Sequence, residues 1–258
     1  MTDFLKAVAL GIVQGVTEFL PISSSGHLIA LKQIFDFEAP LAFDVCLHLA
    51  TLGAVLIFFA RRLAALARSP DAWPVFVRVL VGTIPAGIIG FAIEKEREHI
   101  PSWFVVAGWL ISAVYLQLTA NRGGSGVHPK LSLARAFLIG GSQGFAAALP
   151  GFSRSGISIS SGLWLGLERG QAFEFSFLLA IPVMLGAGLV DGRKLFAGGT
   201  PNIPGGWPAL AGSMAAAFGV GLIAIFVLRR MVIGNKFHRF GYYNLLAAIL
   251  FAIYLFTR

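Results

Sequence analysis

The fold is decided by a short polar stretch near the N-terminus, Gln14-Gly-Val-Thr-Glu18-Phe-Leu-Pro21-Ile-Ser23-Ser24-Ser25-Gly26-His27. It places an acid, three hydroxyls and an imidazole inside an apolar sequence, where polar groups are costly unless they are used. A second stretch has the same frame and adds an arginine, Gln143-Gly-Phe-Ala-Ala-Ala-Leu149-Pro150-Gly151-Phe-Ser153-Arg154-Ser155-Gly156. We expect the two stretches to form two halves of one site.

The rest of the chain has the composition of a membrane protein. Of its 258 residues, 57% are hydrophobic and 12% are charged, whereas roughly a quarter of a soluble domain is charged. The net charge of +8 is therefore read as a sign of orientation and of contact with bilayer lipids. Nucleic-acid binding is not expected, because basic patches with interleaved aromatics are absent. The single Cys46 excludes an internal disulfide.

Both polar stretches interrupt apolar runs that are too short to cross a membrane. The run 4–20 ends at Pro21, and the next run, 27–35, would give a helix of only about 14 Å, against a hydrocarbon core of about 30 Å. The break at Pro150 is likewise followed by a short run, 157–167. We predict two re-entrant helical hairpins, whose turns are buried in protein or face a water-filled cavity.

Six further apolar runs are long enough to span, at residues 43–60, 74–93, 102–120, 173–190, 207–228 and 242–256. The fold class that we expect is an all-α integral membrane protein with about six transmembrane helices and the two re-entrant hairpins. A single membrane domain would cover residues 1–258.

The two stretches also begin two copies of one pattern. The matching positions are Gly11, Gln14, Gly15, Leu20, Pro21 and Ser24 with Gly140, Gln143, Gly144, Leu149, Pro150 and Ser153. After one inserted residue, Ser25 and Gly26 match Ser155 and Gly156, and Asp44 matches Glu174. We predict repeat one over 1–120, a linker over 121–130 and repeat two over 131–258. An odd number of spans separates equivalent points, so an inverted-topology repeat is expected, with the hairpin tips meeting near the midplane.

Basic residues orient this topology. One side collects most of the positive charge, from Arg61, Arg62, Arg68, Arg122, Lys130, Arg135, Arg169, Arg229, Arg230, Lys236 and Arg239. By the positive-inside rule that side is cytoplasmic. Both termini and the mouth of the first hairpin are then expected to be extracytoplasmic.

The acid and the serines of the first stretch carry the chemistry that we expect there. Gln14 and Glu18 are four residues apart and share one helix face. Glu18 is a candidate ligand for a divalent cation or a base, the alternative being a carboxylate bonded to turn amides. The run from Ser23 to Ser25 is a candidate anion nest, although one of its hydroxyls is expected to cap the next helix.

The histidine and the arginine each have two readings. His27 is a candidate acid or base because it lies beside an acid and hydroxyls, with a structural histidine as the alternative. Arg154 is a candidate clamp for phosphate or carboxylate, with an ion pair to Glu18 as the alternative. Ser153, Ser155 and Ser158 are further donors or helix caps, and His48 is a candidate second-layer group.

At these residues the sequence resembles the undecaprenyl-diphosphatase family of integral membrane proteins associated with bacitracin resistance. One fingerprint is an acid or glutamine, three residues, a glutamate and a Pro-x-Ser-Ser-x-Gly-His turn, here Gln14 to His27. The other is Pro-Gly-x-Ser-Arg-Ser-x-x-Thr, here Pro150 to Ser158, and the likeness covers nearly the whole chain. The chain departs from the pattern at Gln14, which removes an acid, and at Ser158, which replaces threonine.

The resemblance implies hydrolysis of undecaprenyl diphosphate to undecaprenyl phosphate and inorganic phosphate, which recycles the cell-wall lipid carrier at the outer face of the bacterial cytoplasmic membrane. It implies a divalent cation, Mg²⁺ or Ca²⁺, with Glu18 as a candidate ligand. The expected catalytic residues are Glu18, His27, Ser24 and Arg154, and the nucleophile is either His27 or Ser24. The expected phosphate-binding residues are Gln14, Ser23, Ser25, Gly26, Ser153, Ser155 and Ser158.

Two expectations concern partners and class. The expected partners are the polyprenyl diphosphate substrate, the lipids of the bilayer and a second copy of the chain in a homodimer. The alternative from another class is a polyprenyl-phosphate transporter or flippase with the same phosphate-binding site, because inverted repeats with broken helices are a transporter architecture.

Overall fold

The computed structural model describes residues 2–70, 72–93, 100–123, 130–197 and 203–257. All regular structure in these ranges is helical. A single 3-10 turn, Phe237–Arg239, precedes the last helix. The helices are α1 Asp3–Phe19, α2 Ser24–Phe35, α3 Leu41–Ala67, α4 Ala72–Ile93, α5 Trp103–Gln117, α6 Leu133–Ala148, α7 Arg154–Trp164, α8 Arg169–Ala197, α9 Gly206–Ile233 and α10 Phe240–Phe256.

The prediction of an all-α integral membrane protein is confirmed. Within the described ranges, five segments are long and apolar enough to cross a membrane: α3, α4, α9, the part of α8 over Arg169–Val190, and Phe237–Phe256 around α10. The sixth predicted span, 102–120, is a shorter apolar helix of 15 residues, because α5 ends at Gln117 and turns follow. Most of the predicted linker, residues 124–129, lies outside the described residues.

Two broken helical hairpins occur where the prolines predict them. The first consists of α1 and α2, and the second of α6 and α7. The second helix of each is short, with 12 residues in α2 and 11 in α7, or less than about 20 Å. Each short helix begins with a serine cap, since Ser23 Oγ accepts from the Gly26 N–H at 3.2 Å and Ser153 Oγ accepts from the Gly156 N–H at 3.1 Å.

These caps shift the match between the two stretches. Ser23 and Ser153 occupy the same N-cap position, so Ser24 corresponds to Arg154 and not to Ser153. The extra residue therefore lies before the cap, in the turn that contains Gly151, whose φ of 84° favours glycine. The one-residue insertion that we predicted after Ser24 is moved to this turn.

The first helix of each half packs along a helix of the other half. Helix α1 packs along α9 and α6 packs along α4, while α3 with α8 and α5 with α10 form the central pairs. Both long contacts are made by glycines: a Cβ at Gly11 would overlap the backbone of Ser213, and one at Gly140 would overlap the carbonyl of Gly82. Two repeats related by a two-fold axis would produce this pattern. It supports the predicted duplication, whose boundaries at 120 and 131 stay a prediction.

Candidate active site

Polar side chains from both hairpins meet at Glu18, whose side chain is 2% exposed. Arg154 Nη2 forms an ion pair with Glu18 Oε1. On the other oxygen, Oε2 accepts hydrogen bonds from Ser24 Oγ at 2.6 Å and from Gln14 Nε2 at 3.0 Å. We call these four residues the Glu18 cluster. The structure thus brings together the acid, the arginine and one serine that the sequence singles out.

The position of the cluster follows from the two hairpins. Ser24 is the first residue of α2 and Arg154 is the first residue of α7, so two helix N-termini converge on one carboxylate. Helix N-termini carry partial positive charge and free N–H groups, which suit a carboxylate or a phosphate. Burial of Glu18 is tolerable because its charge is paired and hydrogen-bonded.

His48 on α3 also faces Glu18. Its Nε2 lies 3.6 Å from Glu18 Oε2, and its Nδ1 lies 2.8 Å from the Asp44 carbonyl oxygen. The side chain of His48 is 36% exposed, whereas that of Glu18 is nearly fully buried. The sequence ranked His48 only as a second-layer group, and the structure places it directly beside the carboxylate.

His27 lies outside the Glu18 cluster. Its Nδ1 is 2.7 Å from the Ser23 carbonyl oxygen, and its Nε2 is 2.8 Å from the Tyr243 hydroxyl. The imidazole ring packs edge-on against Trp109, with ring centres 5.0 Å apart. In the part of the chain that the structure describes, no recorded hydrogen bond or ion pair joins His27 to the cluster. The expected meeting of the histidine with the acid is therefore not seen.

The turn of the first hairpin is held through its carbonyl groups. In residues 21–23, the first carbonyl accepts from Asn244 Nδ2 and the second from Trp109 Nε1, both at 2.8 Å. The third accepts from His27 at 2.7 Å. Gly26 packs under Trp109, where a Cβ would lie 2.9 Å from the indole ring. Side chains of three different helices thus fix the backbone that leads into α2.

Most of the other predicted phosphate-binding hydroxyls have partners within the protein. Ser155 Oγ donates to the Phe19 carbonyl at 2.7 Å, which ties the second hairpin to the end of α1. Ser158 Oγ donates to the Arg154 carbonyl at 2.8 Å and is also hydrogen-bonded to Ser176. The caps Ser23 and Ser153 each lie 3.4 Å from a second hydroxyl, those of Ser25 and Ser155. Phosphate binding by these serines stays a prediction.

Sequence reasoning missed Trp109, Ser176, Tyr243 and Asn244. All four lie in runs that read as ordinary membrane spans. Polar groups inside such runs were a usable signal, because an amide or hydroxyl in an apolar helix needs a partner. The identity of the partner could not be read, because it lies far away in the chain.

A pocket lies beside the cluster on the side of α8. Its lining includes Glu18 and Arg154 together with Ser155, Ser176 and Gln143. Apolar side chains of α8, among them Phe177 and Met184, line the same pocket. It therefore combines charged and hydroxyl side chains with an apolar wall.

The side chains available as metal ligands determine how the expected divalent cation could be bound. No group of three or more His, Cys, Asp or Glu side chains occurs among the described residues. Mg²⁺, however, is commonly bound by one or two carboxylates together with substrate phosphates and water. Glu18 fits such a shared site as the one protein carboxylate of the cluster. The identity of the cation stays a prediction.

Taken together, the fold and the site define an integral membrane protein with a buried cluster of acid, arginine and hydroxyl side chains where two broken helical hairpins meet. Residues 7–250 match the family described as bacitracin resistance protein BacA. The chain therefore belongs to the BacA family.

Curated relatives over nearly the whole length bear the name undecaprenyl-diphosphatase. The relative from Desulfosudis oleivorans is 39% identical over 263 residues, covering 93% of this chain and 94% of its own. The relative from Thermotoga maritima is 39% identical and covers 93% of this chain and 96% of its own. The relative from Thermosipho africanus is 34% identical and covers 95% and 98%.

Proposed function

We propose that the protein hydrolyses undecaprenyl diphosphate to undecaprenyl phosphate and inorganic phosphate. The named relatives support a phosphatase of this kind. The observation that carries the proposal is the convergence of Ser24 and Arg154 on the Glu18 carboxylate, at the N-termini of two helices. Hydroxyl, base and cation within one buried site are the parts that phosphoryl transfer requires.

Ser24 is the nucleophile in this proposal. Its hydroxyl already donates to Glu18 Oε2 at 2.6 Å, so Glu18 is positioned to take the proton as Oγ attacks the terminal phosphorus. The bond from that phosphorus to the bridging oxygen breaks, and undecaprenyl phosphate leaves. Water then attacks the phosphoserine, which releases inorganic phosphate and restores the hydroxyl.

Arg154 binds the terminal phosphate. A guanidinium has five N–H donors, and in this structure the recorded ion pair to Glu18 uses Nη2. The remaining donors can bind phosphate oxygens while the pair with Glu18 is kept. A divalent cation held by Glu18 and the diphosphate would add charge neutralisation when bound.

His27 is a poor candidate for the nucleophile. A carbonyl only accepts, so the Nδ1 that contacts the Ser23 carbonyl carries the proton. The lone pair of a neutral ring then lies on Nε2, where it accepts from the Tyr243 hydroxyl. Both ring nitrogens are occupied, and Ser24 is the better choice between the two candidates.

The cellular setting is part of the same proposal. The site acts at the outer face of the cytoplasmic membrane, where it recycles the lipid carrier of cell-wall synthesis. The excess of Arg and Lys in the loops assigned to the other side supports this orientation, with both termini outside.

The test is phosphate release from undecaprenyl diphosphate by the detergent-purified protein, with Mg²⁺, with Ca²⁺ and with a chelator. We expect Ser24→Ala and Arg154→Ala to lower kcat by about a hundredfold or more. Matched controls are Ser142→Ala, whose hydroxyl bonds within its own helix, and Arg135→Ala at the exposed start of α6. Binding of the lipid without phosphate release by the parent protein would contradict the proposal and favour a carrier.

A further inference from the structure

The segment before Ser24 is held in an uncommon conformation. Ser23 has φ 67° and ψ 101°, in a region that residues other than glycine rarely adopt. Such a conformation persists only where surrounding contacts enforce it. The next residue is Ser24, whose hydroxyl reaches Glu18. The direction of that hydroxyl therefore depends on the contacts that hold Ser23.

Those contacts lead to Tyr243 through His27. The Ser23 carbonyl accepts from His27 Nδ1, and His27 Nε2 accepts from the Tyr243 hydroxyl. The phenol ring also stacks on the imidazole, with ring centres 5.7 Å apart and planes 20° apart. A histidine whose second nitrogen is bonded has both its tautomer and its ring orientation fixed.

The tyrosine comes from the opposite end of the chain. Tyr243 lies on α10, next to Asn244, which holds the Pro21 carbonyl of the same turn. The ring of Tyr243 is 43% exposed, so its hydroxyl contributes little to the core. It contacts the hairpin through its hydrogen bond to His27 Nε2 and through its ring, which stacks on the same imidazole.

We propose that Tyr243 is a positioning residue of the phosphatase, which acts through His27 and the Ser23 carbonyl to keep the Ser24 hydroxyl directed at Glu18. The inference rests on the proposed function, since it concerns the rate of that reaction. It gives His27 a positioning role in place of a chemical one. Neither Tyr243 nor His27 needs to touch the substrate.

The first variant is Tyr243→Phe, which keeps the stacked ring and removes only the hydroxyl. A neutral hydrogen bond contributes about 0.5–1.5 kcal/mol, so we expect kcat to fall about three- to tenfold while KM stays within about twofold. Tyr242→Phe is the matched control, because Tyr242 is 65% exposed and carries the same group one residue away. We expect its kcat to equal that of the parent.

The second variant is His27→Asn, whose amide can still donate to the Ser23 carbonyl but offers nothing to Tyr243. We expect His27→Asn to lower kcat about as much as Tyr243→Phe does. The kcat of the double variant should be no more than about twofold below that of the less active single variant. Both substitutions break the same chain of hydrogen bonds from Tyr243 to the Ser23 carbonyl, so their effects should not multiply. A purely structural role would instead lower the midpoint of thermal unfolding and leave the kcat of the folded variants equal to that of the parent.

The outcomes separate this inference from the proposed function. No hydrolysis by the parent protein would overturn the proposed function itself. Hydrolysis by the parent with an unchanged kcat in Tyr243→Phe would overturn the inference alone. So would complete loss of activity in a folded His27→Asn protein, because that result would place His27 in the chemistry. Thermal unfolding of each variant establishes that it is folded.

Discussion

At the scale of single residues, the carboxylate of Glu18 organises the site because each of its oxygens serves a different partner. Oε1 forms an ion pair with Arg154, whereas Oε2 accepts a hydrogen bond from the Ser24 hydroxyl and faces His48. An ionised carboxylate is an acceptor only, so the groups around it compete for its lone pairs. His48 on α3, which faces Oε2, should therefore influence how readily Glu18 accepts a proton from Ser24 in the proposed reaction.

We expect His48→Leu to lower kcat about tenfold, because the buried oxygen that faces the nucleophile loses a polar neighbour. The effect on KM should be smaller, since Arg154 is untouched. The measurement is the steady-state rate of phosphate release. His238→Leu, in the 3-10 turn before α10, is the control. A folded His48→Leu protein with the parent's kcat would show that His48 is a bystander.

The sequence predicted most residues of the Glu18 cluster but not all of the side chains that hold the first hairpin beside it. Glu18, Ser24 and Arg154 could be found because an acid, a hydroxyl and an arginine are conspicuous in an apolar chain. The pairing of Gln14 with Glu18 followed from helical spacing. Tyr243 could not be found, because its hydrogen bond to His27 joins residues 216 positions apart, and nothing local in the chain reports that contact.

At the scale of helices, close packing depends on glycines that bring backbones together. On α6, a Cβ at Gly140 would overlap the Gly82 carbonyl of α4, and one at Gly144 would lie 2.5 Å from Ala86 Cα. Small residues at such contacts are typical of membrane helix pairs, because close approach increases packing. Since α6 leads into the turn before Arg154, its packing on α4 also positions the arginine.

We expect Gly140→Ala to destabilise the protein by about 1–3 kcal/mol or more, since an added methyl group must push two helices apart. The neighbouring substitution Gly141→Ala is a matched control, because its Cβ would meet only Pro85 Cβ at 3.8 Å. The measurement is the midpoint of thermal unfolding in detergent. Equal midpoints for the two variants would show that the α4–α6 contact is looser than the structure indicates.

The helices themselves were largely predictable, whereas their register was not. Pro21 and Pro150 marked both breaks, because proline disfavours a helix interior and turn residues follow each of them. Proline alone would not have sufficed, since Pro85 and Pro182 lie inside α4 and α8. The serine runs allowed more than one alignment, and only the caps at Ser23 and Ser153 show that Ser24 corresponds to Arg154. The shortness of α5 was also missed, because its apolar run continues beyond the point where the helix ends.

At the scale of the whole molecule, packing between the two halves explains why a duplicated chain has one site and not two. Helix α1 packs on α9, and α6 packs on α4. Glu18 comes from the first hairpin and Arg154 from the second, so neither half contains the cluster. The contact pattern fits a duplication with two-fold symmetry, and the inverted topology, with the two hairpins entering from opposite faces, stays a prediction. The orientation proposed above then places both chain ends on the outer side.

This orientation predicts the accessibility of introduced cysteines. In a Cys46→Ala background, we expect Thr257→Cys to react in intact cells with a maleimide that cannot cross the membrane. Lys236→Cys, in the exposed segment between α9 and α10, should react only after the cells are opened. Protection of Thr257→Cys together with labelling of Lys236→Cys in intact cells would reverse the proposed topology.

The packing of α1 against α9 also has a consequence for biosynthesis. The glycine face of α1 is covered by a helix that begins at Gly206, so α1 finds its partner only after the roughly two hundred residues between them have been translated. Until then the nascent first hairpin has a bare small-residue surface in the bilayer. The first hairpin therefore reaches its final packing only after α9 has been inserted, and not when α1 itself enters the bilayer.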